Sequence, residues 1–363
     1  MLADLTTTEL EELFKSWGFN AANAVRIMRS FYRCQDLPGS LPKGLVERLK
    51  HELPAGSTSV AKRQVSEDGT VKLLLSLCDG RTVETVLMPD YRQDRAAGCI
   101  SSQVGCALGC DFCATGRSGF ERDLTAGEMI EQFLALRREA SALGRRLQRV
   151  VFMGMGEPLL NLEAVLGAIR RLTDRSLDIL GCRQIMVSTA GIVPGIDALF
   201  DSGLPVMLAV SLHAPDDEQR ARLLPLARRY PIADILAAAD RFQARNRRTV
   251  NIQYCLLKGV NDSPEHARRL AELLRGRCMH VNILRYSPTG PGLSGAAYEP
   301  SDQAAEAQFL AELGARGVVA HLRRTRGPDI DAACGQLRSA HAAELAQPPA
   351  SSLPAMLRSS SSS

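Results

Sequence analysis

Three closely spaced cysteines are the residues of this sequence best suited to chemistry. Cys106, Cys110 and Cys113 form a C-x3-C-x2-C pattern inside a glycine-rich stretch. In a reducing compartment, thiolates this close together are more typical of metal ligands than of disulfide partners. A structural zinc site needs four protein ligands, whereas three thiolates can hold a 4Fe-4S cluster and leave one iron open. The alternatives are a zinc loop with a distant fourth ligand, and three buried free thiols.

Other polar residues follow the ends of predicted strands. Gly156 and Glu157 come after one strand-like run, Ser188 ends the next, and Ser211 and His213 end the one after that. Glycine lets the backbone approach a ligand, and a carboxylate accepts hydrogen bonds from an ammonium group. Each residue alone also fits an ordinary turn or a structural histidine. Hydroxyl and imidazole groups at successive strand ends together predict a ribose or carboxylate site.

A further cysteine, Cys334, lies in a loop between small residues and follows the basic run 323–326. Small neighbours leave a thiol accessible to reagents. The alternative is a buried free cysteine, which is the commoner fate of this residue type.

The chemistry-bearing residues lie in a region where strand-like and helical patterns alternate. Such alternation predicts βαβ units and a parallel sheet, either doubly wound or an incomplete barrel. Functional residues should then gather at the carboxyl ends of the strands. The predicted strands are 98–104, 150–153, 184–188, 206–212, 249–254, 279–284 and 318–322, and the predicted helices are 125–143, 161–173, 194–202, 231–245, 262–275 and 302–315.

The rest of the chain divides by composition and period. Residues 1–56 read as an accessory domain of short helices, and 57–96 as a β-hairpin segment that turns at Cys78-Asp79-Gly80. We expect residues 97–340 to form the α/β domain. The Ala-, Pro- and Ser-rich segment 341–363 is predicted to be disordered.

Composition narrows the function class. A chain of 363 residues that is 45% hydrophobic can bury a large core. The formal net charge of +4 permits a nucleic-acid partner without requiring one. The sequence has no apolar run long enough for a membrane span and no signal peptide. Ten cysteines without a secretory signal predict a cytoplasmic protein that uses thiols chemically.

Together these motifs resemble the RlmN/Cfr family of radical S-adenosylmethionine (AdoMet) RNA methyltransferases over about residues 58–340. The stretch Ser-Gln-Val-Gly-Cys-Ala-Leu-Gly-Cys at 102–110 is more similar to RlmN than to Cfr. The resemblance implies an incomplete (βα)6-type radical SAM barrel. The segments that carry it are Cys99-x6-Cys106-x3-Cys110-x2-Cys113, Gly154-Met-Gly-Glu-Pro-Leu, Ser188-Thr-Ala-Gly, Ser211-Leu-His-Ala-Pro and Gly327-Pro-Asp-Ile-Asp-Ala-Ala-Cys-Gly-Gln-Leu.

The resemblance also implies a reaction and roles for residues. The three cysteines would hold a 4Fe-4S cluster, and one AdoMet would methylate Cys334 while a second is cleaved at the cluster. The methylene radical formed on Cys334 would add to carbon 2 of an RNA adenine, and the adduct would lose a proton and an electron. Cys99 would then release the product through a transient disulfide with Cys334. Glu84 would be the proton acceptor. The implied AdoMet contacts are Gly156, Glu157, Ser188, Ser211, Leu212, His213 and Ser287.

Four features depart from the usual family pattern. Ser287 stands where the family usually has asparagine, Pro328 replaces a usual acidic residue, and the segment between Glu84 and Cys99 is two residues longer than the common form. The N-terminal helices match the family's accessory RNA-binding domain only loosely. A divergent paralogue acting on a different RNA therefore stays open.

The resemblance further implies partners. These are an RNA substrate, either 23S rRNA or tRNA or both, and an electron donor such as a flavodoxin. We expect a monomer with no membrane partner. The alternatives to carbon-2 methylation are carbon-8 methylation of the Cfr type and a non-catalytic iron-sulfur RNA-binding protein.

Overall fold

A computed structural model of the chain describes residues 1–54 and 56–338. It begins with three α-helices, α1 (Thr7–Ser16), α2 (Asn23–Tyr32) and α3 (Lys43–Glu52). Helix α1 starts at a reciprocal cap, in which the Thr6 hydroxyl accepts from the Glu9 amide and the Glu9 carboxylate accepts from the Thr6 amide. The predicted disordered segment 341–363 lies outside the described residues.

After these helices the chain enters a ten-stranded sheet through three antiparallel strands, β1 (Ser59–Val65), β2 (Val71–Ser76) and β3 (Thr82–Pro89). Strand β3 also pairs antiparallel with β4 (Arg95–Ile100). The two strand-like runs of the predicted hairpin are β2 and β3. The structure adds β1 to them and joins all three to the main sheet.

The parallel part of the sheet contains seven strands, in the order β4-β7-β8-β9-β10-β11-β12. The order follows the chain without a reversal, whereas a doubly wound sheet reverses its order at a switch point. This decides between the two predicted architectures in favour of the barrel type. The later strands are β7 (Arg146–Phe152), β8 (Ile185–Thr189), β9 (Met207–Ser211), β10 (Val250–Leu256), β11 (Met279–Arg285) and β12 (Ala320–Leu322).

One predicted strand is divided in two. The run 98–104 becomes the end of β4 and the start of β5 (Gln103–Gly105), which pairs with β6 (Phe120–Asp123) in a separate two-stranded sheet. The break falls at Ser101, whose amide donates to the Gln132 side-chain oxygen at 2.7 Å and whose carbonyl accepts from the Gln132 amide nitrogen at 3.0 Å. A side chain thus replaces the strand partner, and the chain turns towards the cysteine loop.

The remaining helices connect the strands and include all six predicted helices, with ends that differ by at most two residues. They are α4 (Ala114–Arg117), α5 (Ala126–Ala142), α6 (Leu162–Leu172), α7 (Val193–Asp201), α8 (Asp217–Leu223), α9 (Ile232–Asn246), α10 (Pro264–Leu274) and α11 (Gln303–Ala315). The core lies between these helices and the sheet. No helix in the described part of the chain is long and apolar enough to cross a membrane.

Candidate functional site

A cavity at the carboxyl ends of the parallel strands collects most of the predicted site residues. It lies where βα loops meet, as expected for a barrel of this type. The predicted residues that line it are Cys106, Cys110, Cys113, Gly156, Glu157, Ser188, Ser211, His213 and Cys334. Four further predicted residues are buried but are not among its lining residues: Glu84, Cys99, Leu212 and Ser287.

The cysteine loop begins at a position that only glycine can occupy. Gly105 has φ +74°, and a Cβ there would collide with the carbonyl oxygen of Gly119. The close approach allows the Cys106 amide to donate to that carbonyl at 2.7 Å. Within the loop, the Asp111 carboxylate accepts from Ser294 and from the Tyr298 hydroxyl at 2.5 Å. These contacts anchor the loop from both sides.

The three cysteines line one cavity without forming a compact set. No three or more His, Cys, Asp or Glu side chains among residues 1–54 and 56–338 stand close enough to hold a single metal ion. A zinc site needs such a tight set, whereas each cysteine ligand of a cluster binds a different iron. Burial raises the pKa of Cys110, and repulsion from the neighbouring thiolates adds to the rise. Burial also raises the pKa of Cys106, to about 12. These three thiols fit an iron-sulfur cluster, because its positive irons would offset both the burial of the thiolates and the repulsion between them.

A buried arginine beside the cysteine loop was not predicted. Arg220 of α8 is 1% exposed, and its guanidinium donates to the carbonyls of Ala190 and Leu212. Burial lowers the pKa of Arg220 to about 10, and its positive charge opposes the rise in the pKa of Cys110. It therefore favours the thiolate form of that ligand. In the sequence, Arg220 looks like any arginine of an exposed helix.

Glu157 lies in the turn after β7, with its carboxylate at the cavity wall. One oxygen accepts from the Ala190 amide at 2.8 Å and the other from the Leu159 amide at 3.1 Å. Burial raises the pKa of Glu157 to about 7. A cationic ligand in the cavity would offset that cost. Gly156 before it has φ +95°, and a Cβ there would lie 2.5 Å from Gln103.

His213 is held as a neutral ring. Its Nδ1 accepts from the Cys255 amide at 3.0 Å, and burial, with a contribution from Arg220, lowers the pKa of His213 to about 3. The ring packs edge-on against Phe112 of the cysteine loop, with 5.1 Å between centroids. The neutral tautomer with Nδ1 as acceptor carries its proton on Nε2. His213 can therefore act as a hydrogen-bond donor but not as a cation.

The loop that carries Cys334 docks on two distant parts of the chain. On one side the Ala114 amide donates to the Gly335 carbonyl at 2.7 Å, which joins the loop to the segment after Cys113. On the other side the Asp329 carboxylate accepts from the Ser66 hydroxyl at 2.5 Å. The thiol of Cys334 is solvent-accessible at the cavity, although the surrounding protein still raises its pKa by desolvation.

Glu84 lies on β3 behind the Cys334 loop. One carboxylate oxygen forms an ion pair with Lys72 of β2 at 2.9 Å, and the other accepts from the Arg338 amide at 2.9 Å. Lys72 also donates to the Asp331 carbonyl at 3.1 Å. Both oxygens of the predicted proton acceptor are thus engaged. The ion pair joins β2 to β3, and the two hydrogen bonds join these strands to Asp331 and Arg338, on either side of Cys334.

Cys99 is buried on β4, and Cys99 and Cys334 are both free thiols in the structure, so a disulfide between them is not observed. Burial raises the pKa of Cys99, and the charge of Cys334 adds to the rise. The two sulfur atoms are therefore close enough to interact electrostatically. A cysteine that sequence reasoning did not single out, Cys255 at the end of β10, also lines the cavity. Its place within an apolar strand gave no signal of this position.

Comparison with known proteins identifies the family of this chain. A family model described as the radical SAM superfamily matches residues 100–271. A protein from Opitutus terrae named "Probable dual-specificity RNA methyltransferase RlmN 1" is 65% identical over 342 residues, which cover 93% of this chain and 96% of that protein. The chain belongs to the RlmN family of radical SAM RNA methyltransferases.

A second RlmN relative and one solved structure extend the comparison. A "Probable dual-specificity RNA methyltransferase RlmN" from Thermus thermophilus is 44% identical and covers 82% of each chain. The crystal structure of a radical SAM methyltransferase from Sphaerobacter thermophilus superposes with a TM-score of 0.87 at 44% identity, covering 93% of this chain and 98% of that one. The predicted family and fold are confirmed. Membership of the family implies a 4Fe-4S cluster and AdoMet as cofactors.

Proposed function

We propose that this RlmN-family enzyme methylates carbon 2 of an adenine in RNA, and that both 23S rRNA and tRNA are substrates. The observation that carries the proposal is the presence of Cys334 in the same cavity wall as Cys106, Cys110 and Cys113. A methyl carrier and a radical source must share one cavity if a methyl group is to be activated and passed on. The "dual-specificity" name of the relatives supports two RNA classes.

In this proposal the bound cluster and AdoMet supply the methyl group and a hydrogen-abstracting radical. Cys106, Cys110 and Cys113 hold the cluster, and Arg220 supports the charge at Cys110. Glu157 binds the ammonium group of AdoMet, because a cation beside it offsets the burial of its carboxylate. Gly156, Ser188, Ser211 and the Nε2 proton of His213 orient the rest of the molecule, while Leu212 shapes the turn between the last two.

Cys334 carries the methyl group and Cys99 displaces the product from it, which leaves a disulfide that must be reduced before the next turnover. The charge of Cys334 acts on Cys99, which supports this pairing, although it acts on Cys255 as well. Glu84 stays a proposed proton acceptor, and it must first exchange its bond to Arg338 or Lys72 for one to the substrate. Ser287 is buried next to the cavity residue Tyr286, and it stays a proposed contact of AdoMet.

The same proposal includes a cytoplasmic monomer with a flavodoxin-type electron donor. It is tested by anaerobic reconstitution with iron and sulfide, followed by incubation with AdoMet, a reductant and separate rRNA or tRNA fragments. Digested RNA is then analysed by mass spectrometry. We expect 2-methyladenosine from both RNAs; 8-methyladenosine would replace the proposed position, and AdoMet cleavage without any methylated RNA would contradict the proposed substrates.

A further inference from the structure

A second cavity lies at the opposite end of the barrel from the candidate active site. Its wall includes the first three residues of β7, Arg146, Leu147 and Gln148, whereas Phe152 at the other end of the same strand lines the active-site cavity. Six residues of extended strand separate the two ends by about 20 Å. The second cavity has a volume of about 660 Å³.

This cavity is strongly basic. Its lining comes from the segment after α2, the end of α5, the start of β7 and the loop before β8, and Asp178 is the one acidic residue among the described residues of its wall. Five arginines line it: Arg33, Arg137, Arg138, Arg145 and Arg146.

Most of these arginines have no carboxylate partner. Across residues 1–54 and 56–338, only Arg146 of the five forms an ion pair, with Asp94 at 3.3 Å between two exposed side chains. Arg145 donates to two backbone carbonyls of the turn between β3 and β4 and to that of Arg95, the first residue of β4. Elsewhere on the surface, some exposed arginines, such as Arg241 and Arg268, have acidic partners, while isolated ones such as Arg248 have none among the described residues. Crowded, unpaired cations in a concave site have an electrostatic cost that a bound anion would remove.

The half-buried Arg137 shows this cost. Its guanidinium lies over the Phe133 ring, 5.9 Å from the centroid. Burial, together with the positive charge of Arg33, lowers the pKa of Arg137. A guanidinium presents several donors in a planar fork that matches phosphate oxygens. A phosphate group combines the charge and the geometry that these side chains require.

We propose that this cavity is a phosphate-binding site that holds the backbone of the RNA substrate at a distance from the reacting adenine. The identification of RNA as the source of the phosphate rests on the proposed function. An RNA backbone and free inorganic phosphate would both present a phosphate group to Arg33, Arg137 and Arg138. The test must therefore distinguish these two ligands. An RNA bound at both ends of β7 would be fixed in orientation as well as at its target base.

The test uses the reconstituted full-length enzyme and needs no turnover. Arg33→Gln/Arg138→Gln changes two exposed side chains of the cavity that make no hydrogen bond in the described structure, so folding should be unaffected. Arg247→Gln/Arg248→Gln is the matched control, because these arginines are also exposed and unpaired but lie outside the cavity. Binding of a tRNA fragment is measured by fluorescence anisotropy at several NaCl concentrations, and the melting temperature is measured with inorganic phosphate against chloride at equal ionic strength.

We expect the cavity variant to bind RNA at least about tenfold more weakly, since each lost charged contact is worth that much. The slope of log affinity against log salt should fall by about one to two, whereas the control should change little. If the slope is unchanged but phosphate raises the melting temperature of the wild type and not of the cavity variant, the site is confirmed with free phosphate as its ligand. Equal behaviour of both variants in both measurements would overturn the proposal.

The outcome is separable from that of the proposed function. A wild-type enzyme that binds RNA but forms no methylated adenine would contradict the proposed reaction and leave the binding comparison valid. A wild-type enzyme that binds no RNA would contradict both the proposed substrate and the RNA source of the phosphate.

Discussion

At the scale of single residues, the proposed roles of Cys334 and Cys99 can be separated by substitution. Cys334 is accessible at the cavity, while Cys99 is buried on β4 beside it. We expect Cys334→Ala to abolish RNA methylation and leave AdoMet cleavage measurable, because the methyl carrier is lost and the cluster ligands remain. Methylated nucleosides and 5′-deoxyadenosine would be quantified in the same samples. Unchanged methylation would remove Cys334 from the reaction.

Cys99→Ala should give a different result. Without the attacking thiol, the RNA stays bonded to the methylene group on Cys334, so a covalent RNA–protein adduct should accumulate. Denaturing gel electrophoresis with nuclease treatment would detect it. Cys182→Ala is a suitable control, since that half-buried cysteine is not among the residues of the cavity wall. Absence of the adduct would remove the resolving role from Cys99.

Glu157 makes the stability of the cluster-free protein depend on pH. Its pKa is about 7 in the folded chain against 4.5 for the free side chain, so between these values the folded state binds more protons than the unfolded state. Stability is therefore lost as pH rises from about 4.5 to 7, by about 3 kcal/mol. Glu157→Gln should remove this part of the pH dependence. Urea unfolding of both proteins at pH 5 and pH 7 would measure it, and parallel profiles would contradict the prediction.

At the scale of elements, the start of the cysteine loop depends on close backbone contact. Gly105→Ala combines left-handed backbone strain with a collision against the Gly119 carbonyl, whereas Gly119→Ala has the same φ of +74° and open space around its Cβ. The strain alone costs about 1–2 kcal/mol. We expect the iron content after reconstitution to fall sharply for Gly105→Ala and much less for Gly119→Ala. Equal iron content in both variants would show that the collision is relieved without moving the cysteines.

Lys72 on β2 and Glu84 on β3 form a buried ion pair, and their side chains are 6% and 9% exposed. Lys72→Met leaves the Glu84 carboxylate buried without its cation, so we expect a loss of about 3–5 kcal/mol in the free energy of unfolding. The double variant Lys72→Met/Glu84→Leu should recover most of that stability, because two well-packed apolar side chains can replace a buried pair. Urea denaturation would test both. A mild effect of Lys72→Met would mean that water reaches Glu84.

At the scale of the whole molecule, segments far apart in sequence hold the reactive loop. The bond from Ser66 to Asp329 joins residues 263 positions apart, and the Glu67 amide donates to the same carboxylate. Asp329→Ala removes both contacts and so weakens the attachment of the loop to the turn after β1. We expect the loop to open more often and iodoacetamide to alkylate Cys334 faster. Peptide mass mapping would measure this, with the exposed Cys278 of the same sample as internal control; equal rates would contradict the role of the anchor.

The division of the chain predicted from composition stays a prediction in its domain boundaries. The structure nevertheless gives the segment 57–96 a definite place, since β1, β2 and β3 extend the main sheet. Ser66 after β1, Lys72 on β2 and Glu84 on β3 form hydrogen bonds with the loop segment that contains Cys334. The sequence pattern of this segment differs from that of the barrel because its strands pair antiparallel. The difference in pattern is not a sign of independent folding.

The sequence by itself determined the positions where local spacing carries the chemistry. The cysteine triplet, the residues at the strand ends and the alternation of strands and helices depend on neighbours within a few positions, so they can be read without a structure. Only the tertiary structure decided the order of the strands in the sheet and the burial of Arg220. It also decided the bonds of Glu84 to Lys72 and Arg338, and the basic cavity at the start of β7. Each of these depends on which distant segments meet and exclude water, and burial is what changes the energy of a charge.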